Sequence, residues 1–166
     1  MGGNGIRDSR GVAVADLDLD GRLDIAINNN NARPTIYLNR FAETGNWLRL
    51  LLIGTGQSNR DAVGANIRLT VATADGSASE MTRWVEAGSG YASQSSFAAH
   101  FGLGEAERVT ALEIRWPSGR IERLEGAELA TRVPGINRTL RIEESAISPP
   151  RPPDRLDPEG DRRGEV

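Results

Sequence analysis

The 166-residue sequence has no cysteine and no lysine, and His100 is its only histidine. Without cysteine the chain can form neither a disulfide framework nor a thiolate zinc site. A Ser-His-Asp triad would need His100 and one of four serines, namely Ser89, Ser93, Ser95 or Ser96. No G-x-S-x-G nucleophile elbow is present. We therefore interpret His100 as a strand residue that hydrogen-bonds locally, and we expect no enzyme activity.

Long apolar runs and basic patches are missing as well. No run approaches the roughly 20 residues that a membrane-spanning helix requires, and residues 1–10 lack the apolar segment of a secretory signal. The formal net charge is -3, and the 20 arginines are spread along the chain. These features indicate no nucleic-acid partner, no membrane insertion and no signal peptide within this chain.

Aromatic residues are few, at 5%, whereas 19 glycines and 8 prolines indicate many turns. From residue 47 to 144 the pattern predicts about seven short strands with alternating apolar positions, such as Ile67, Leu69 and Val71. The fold predicted is mainly β, a small antiparallel β-sandwich or barrel. We expect Trp84 and Trp116 in its core.

Composition divides the chain into three parts. Residues 1–45 contain an acidic loop between two short apolar runs, and residues 46–145 carry the regular strand pattern. Residues 146–166 are rich in proline and charge, with almost nothing to bury, and are predicted to be disordered.

The acidic stretch VAVADLDLDGRLDIAI contains Asp16, Asp18, Asp20 and Asp24 within nine residues. These carboxylates repel one another unless a cation lies between them, and Arg22, the one positive side chain inside the stretch, is too little to offset them. The pattern D-x-D-x-D-G-x-x-D supplies the oxygen ligands that Ca²⁺ prefers.

In this calcium loop, the three aspartates at positions one, three and five converge, and Gly21 permits the sharp bend. The Arg22 carbonyl and Asp24 complete the ligand shell. We expect the loop leucines Leu17, Leu19 and Leu23 to point into apolar surroundings. Position twelve is Ile27 and the flanks are strand-like, which excludes an EF-hand. The alternative is a solvated acidic turn without metal.

A second candidate site is the glycine-rich segment GSGYASQ, residues 88–94. It could expose backbone donors and Gln94 to a ligand, with Tyr91 stacking on a sugar or another ring. The alternative, which we favour, is a bend between two strands in which Tyr91 covers the core.

The segment GVAVADLDLDGRLDIAINNN resembles the FG-GAP/VCBS repeat, the calcium-loop unit of β-propellers. The block from Trp47 to Glu144, with SNRDAVGANIRL, GSGYASQSS, HFGLG and IRWPSG, resembles the ASPIC/UnbV domain of the cartilage acidic protein-like family. The resemblance implies that the chain is the C-terminal part of a longer secreted or surface protein, located extracellularly, in the periplasm or at the cell surface. It also implies calcium ligands, which are Asp16, Asp18, Asp20, the Arg22 carbonyl and Asp24.

We therefore expect a calcium-binding, non-catalytic binding or adhesion-type module, monomeric as an isolated fragment, with a protein or carbohydrate ligand. A propeller needs about four to eight blades, yet the chain has one aspartate loop. Two alternatives stay open. One is an enzyme or enzyme-accessory domain with a site in the sandwich or in missing blades, and the other is a truncated gene product without independent function.

Overall fold

The computed structural model of the chain describes residues 8–42, 45–88 and 90–145. Within these ranges the chain forms three sheets, of strand order β1-β2-β3, β10-β4-β7 and β6-β5-β8-β9. The mainly β prediction is confirmed. The strands are β1 (Ser9–Ala15), β2 (Asp24–Asn29), β3 (Thr35–Tyr37), β4 (Asn46–Ile53), β5 (Asn66–Ala72), β6 (Ala78–Trp84), β7 (Ala99–Gly104), β8 (Arg108–Arg115), β9 (Ile121–Leu124) and β10 (Arg138–Glu143), and the helix α1 is Gly126–Arg132.

The acidic loop connects β1 and β2, which pair antiparallel and bring Ala15 opposite Asp24. Strand β3 extends the sheet by pairing with β2. The prediction of one strand on each side of the loop is therefore confirmed. The predicted disorder of residues 146–166 lies outside the described residues.

The other two sheets share one apolar core. Alternate residues of their central strands point inward, and each of them is at most 1% exposed: Leu48, Leu50, Leu52, Ile67, Leu69, Val71, Leu112 and Ile114. Trp116 lies in the same core, as predicted. Among the described residues neither sheet closes on itself, which favours the sandwich over the barrel. One feature departs from the antiparallel expectation, because β10 pairs parallel to β4.

Trp84 is not a core residue, and that prediction is wrong. The β5–β6 register places Met81 opposite the inward-facing Leu69, whereas Trp84 lies opposite Asn66 on the outer face. Trp84 is consequently 58% exposed. Its position in an alternating strand was correctly read, but the alternation alone does not say which face meets the second sheet.

Helix α1 was not predicted. It spans Gly126–Arg132 and buries Leu129, whose carbonyl accepts a hydrogen bond from the Val133 amide where the helix ends. Leu129 and Val133 extend the core beyond the strands. Within residues 8–42, 45–88 and 90–145, no helix has the length and apolar character needed to cross a membrane.

Candidate metal centre

Three of the predicted ligands converge in the loop between β1 and β2. Asp16, Asp18 and Asp24 each offer a carboxylate oxygen, and these oxygens lie within 4.8 Å of one another. Two oxygens on opposite sides of one Ca²⁺ ion are about 4.6–5.2 Å apart, since each lies about 2.3–2.6 Å from the ion. The spacing therefore fits a shared calcium ion.

Backbone hydrogen bonds hold the two buried carboxylates in place. Asp16, 6% exposed, accepts the amide N–H of Asp20 at 3.0 Å and that of Gly21 at 3.1 Å. Asp24, 1% exposed, accepts the amide N–H of Leu17 at 2.8 Å. The first and last aspartates thus close the loop on itself, and these backbone hydrogen bonds hold their carboxylates in place.

Asp20 faces two guanidinium groups, those of Arg22 and Arg40. Asp20 Oδ2 accepts hydrogen bonds from the guanidinium groups of both arginines, and the bond from Arg40 is 3.2 Å long. Asp20 Oδ1 accepts the backbone N–H of Arg22 at 2.9 Å. The Arg22 amide, with smaller contributions from the two guanidinium groups, holds the pKa of Asp20 below its usual value. Arg40 also forms an ion pair with Asp18 at 2.7 Å. The ligand roles of Asp20 and the Arg22 carbonyl stay predictions.

A third arginine joins the loop to the core sheets. Arg49 of β4 donates from Nη1 to Asp16 at 3.1 Å and from Nε to the hydroxyl of Thr139 in β10 at 2.9 Å. Positive charge around the carboxylates is thus not limited to Arg22. Arg40 and Arg49 contribute too, but they lie outside the acidic stretch and reach it only through the fold.

The loop packs on an aromatic pair at the same junction. Gly21 has φ +89°, and a Cβ built on it would lie 2.2 Å from Trp47 ring atoms. The Trp47 ring in turn stacks on His100, with centroids 6.0 Å apart and planes at 11°. Two features therefore require glycine at this position: the left-handed backbone conformation and the close approach of the indole.

His100 lies half-buried in this stack. Burial lowers the pKa of His100, and the charges of Arg49 and Arg83 act in the same direction against the opposing charge of Asp16. Its Nδ1 is buried without a hydrogen-bond partner among the described residues, so the expected local hydrogen bond is not found there.

Two of the four candidate serines accept hydrogen bonds from backbone amides. Ser95 Oγ accepts the Val14 amide at 3.2 Å, which links β1 to the sandwich, and Ser96 Oγ accepts the Ala98 amide at 3.2 Å. Ser93 Oγ is buried and has no partner in the described part of the chain. Ser89 lies outside the described residues.

In the glycine-rich segment, Gln94 holds the bend, since its amide accepts from Gly88 at 2.6 Å and donates to the carbonyls of Glu86 and Ser95. The prediction that Tyr91 covers the core is wrong, because Tyr91 is 77% exposed. A short local turn, closed by the Gly90–Ser93 bridge, carries the ring outward. Its role in ligand contact stays a prediction.

The loop leucines also differ from expectation. Leu17, Leu19 and Leu23 are 47%, 71% and 37% exposed, because no described element covers that side of the hairpin. Leu23 lines an open apolar groove of about 440 Å³. Its lining residues are Leu23, Ile25, Tyr37, Leu38, Asn39, Arg40 and Phe41.

Two of the motifs between Trp47 and Glu144 surround the Glu144 carboxylate with hydrogen-bond donors. Glu144 is 4% exposed and accepts the Ser118 hydroxyl at 2.5 Å and the Thr55 amide at 2.9 Å. Burial alone would raise the pKa of Glu144, but hydrogen bonds from Ser118, Thr55 and Ser58, with the charge of Arg120, hold it below its usual value. SNRDAVG and WPSG thus join the end of β10 to two turns, which is a structural role.

Comparison with known families identifies the larger part of the chain. The family model of ASPIC and UnbV matches residues 54–149, more than half of the sequence. The chain belongs to the ASPIC and UnbV family. The match begins after the acidic loop, so the FG-GAP/VCBS resemblance of that loop stays a prediction.

The chain is similar to three curated relatives, each named Cartilage acidic protein 1. It is 32% identical to the one from Xenopus tropicalis over 119 residues, and 29% identical over 114 residues to those from Mus musculus and Homo sapiens. The alignments cover 67–69% of this chain but only 16–17% of each relative. The chain thus spans about one sixth of their length. No solved structure matches it.

Proposed function

We propose that this chain is a calcium-binding, non-catalytic binding or adhesion-type module, in which the ion fixes the β1–β2 loop against the core sheets. The observation that carries this proposal is the convergence of the Asp16, Asp18 and Asp24 oxygens within 4.8 Å. Hard carboxylate oxygens are the donors that Ca²⁺ prefers. Two of the three carboxylates are buried, and buried charge is stable only when it is compensated.

The charges around the loop leave room for a cation. Four aspartates face three arginines, Arg22, Arg40 and Arg49, so one negative charge is left over. Asp16, Asp18 and Asp24 would hold the ion, with Asp20 and the Arg22 carbonyl as the further predicted ligands. Bound calcium would supply positive charge where the two strands approach, and so stabilise the hairpin.

An extracellular setting is part of the proposal. The relatives are named for cartilage, and extracellular calcium is abundant enough to occupy a site with a dissociation constant of about 10⁻⁴–10⁻³ M. For a protein or carbohydrate ligand the chain offers exposed rings, of which Tyr91 and Phe41 are each 77% exposed.

The non-catalytic part of the proposal is supported by how the candidate triad residues are used. His100 stacks on Trp47, and the hydroxyls of Ser95 and Ser96 accept backbone amides. The side-chain amide of Gln94 accepts the Gly88 N–H within the bend. These contacts compete with the hydrogen bond that a nucleophile and its base must form with each other.

Isothermal titration of the full chain with CaCl₂ tests the proposal. We expect one ion per chain for the wild type and at least a tenfold weaker affinity for Asp24→Asn, because a buried carboxylate ligand is lost. Glu80→Gln is the matched control, since this exposed acid of β6 pairs with Arg68 of β5, and its affinity should equal that of the wild type. Absence of uptake by the wild type, or equal uptake by Asp24→Asn with an unchanged circular dichroism spectrum, would contradict the proposal.

A further inference from the structure

Two arginines contact the acidic loop from outside it, and they are held very differently. Arg49 is 15% exposed and is also bonded to Thr139, so it is part of the core sheets. Arg40 is 59% exposed, and its guanidinium pairs with Asp18 at 2.7 Å and Asp20 at 3.2 Å. The first arginine is therefore fixed and the second depends on the loop.

We propose that Arg40 is a displaceable counter-cation of the loop, which holds Asp18 in the calcium-free protein and leaves it when calcium binds. This inference rests on the calcium-binding function proposed above. Asp18 is the exposed member of the converging group, so the ion and Arg40 approach the same carboxylate from the solvent side.

Electrostatic repulsion between Arg40 and the ion favours the exchange. A guanidinium and a divalent cation on one carboxylate repel each other at a few ångströms, and an exposed ion pair is too weak to resist that repulsion. The Arg40 side chain can move alone, because the neighbouring Asn39 amide anchors the backbone by donating to Asp24 at 2.8 Å. Arg49 stays in place, since its other bond to Thr139 does not involve the loop.

The exchange lowers calcium affinity, because the ion must replace an existing partner. Removing Arg40 should strengthen binding by about two- to tenfold at low ionic strength, the range given by one or two exposed ion pairs. The gain should shrink in 1 M KCl, where the Debye length is about 3 Å. A structural role for Arg40 would produce neither effect.

Two measurements test the inference. Calcium titration should show tighter binding for Arg40→Gln than for the wild type, whereas Arg68→Gln, the same change at an exposed arginine paired with Glu80, should match the wild type. In ¹H–¹⁵N spectra of the wild type, the Arg40 Nε–H signal should shift with calcium, whereas that of Arg68, which pairs with Glu80, should not.

The outcomes separate the two proposals. If the wild type takes up calcium but Arg40→Gln binds equally or more weakly, or if the Arg40 signal stays unchanged up to saturation, the counter-cation role is wrong and the calcium function stands. If the wild type takes up no calcium, both are overturned.

Discussion

The contact between Gly21 and Trp47 can be measured by adding one methyl group. Gly21→Ala places a Cβ where φ is +89° and where the nearest indole atoms are 2.2 Å away. Gly76→Ala is a matched control, because Gly76 has φ +88° and open space within 4 Å of an added Cβ. Both variants bear the backbone cost, about 1–2 kcal/mol for a left-handed non-glycine residue. The steric cost falls on Gly21→Ala alone.

That steric cost follows from what must move. If the Trp47 ring yields, its stacking on His100 is lost, which is worth about 0.5–1.5 kcal/mol beyond the buried area. If the loop yields instead, the Arg49–Asp16 ion pair lengthens. We therefore expect Gly21→Ala to cost about 1–3 kcal/mol more than Gly76→Ala.

Hydrogen exchange of the amides of residues 14–24 gives the free energy of local opening, and urea unfolding gives the global value. Because the clash is with Trp47, the excess cost of Gly21→Ala should vanish in a Trp47→Ala background, as a double-mutant cycle would show. Equal costs for Gly21→Ala and Gly76→Ala would refute the reasoning, since the loop would then not be packed on the indole.

Two further predictions concern charged groups. Arg49→Gln leaves the nearly buried Asp16 carboxylate with backbone donors only, so urea unfolding should show a loss of about 1–3 kcal/mol, against little change for the exposed control Arg68→Gln. Glu144 has a pKa below its ordinary 4.5, so its contribution is present above pH 4.5 and is lost as the pH falls through the lower, folded-state value. Glu144→Gln should therefore flatten the acid limb of the stability curve between neutral pH and pH 3, and an unchanged acid limb would contradict this.

The sequence predicted what depends on neighbours along the chain. The alternation of Ile67, Leu69 and Val71 and the D-x-D-x-D-G spacing are both local, and the structure places these residues on one buried face and in one loop. Strand periodicity of two fixes which residues share a face. It does not fix which face is covered, and for that reason Trp84 was assigned to the core wrongly.

The parts that the sequence did not predict depend on distant pairing. Arg49 meets Asp16 across 33 residues, and the parallel pairing of β10 with β4 brings Thr139 opposite Arg49. Neither has a signal in a local window, because any of 20 arginines could have supplied the charge. Contacts between residues that are distant in the sequence, such as Arg49 with Asp16, can be identified only once the fold is known.

The location of these distant partners changes how the acidic loop is understood. Asp16 belongs to the converging carboxylates and is at the same time bonded to Arg49 of β4, while Gly21 of the same loop lies against Trp47 of that strand. A change in the shape of the loop would therefore also affect the β10-β4-β7 sheet, since β4 contributes Leu48 and Leu50 to the core. An ion in this loop would thus bear on the contact between hairpin and sandwich, which a metal site confined to a free surface turn could not do.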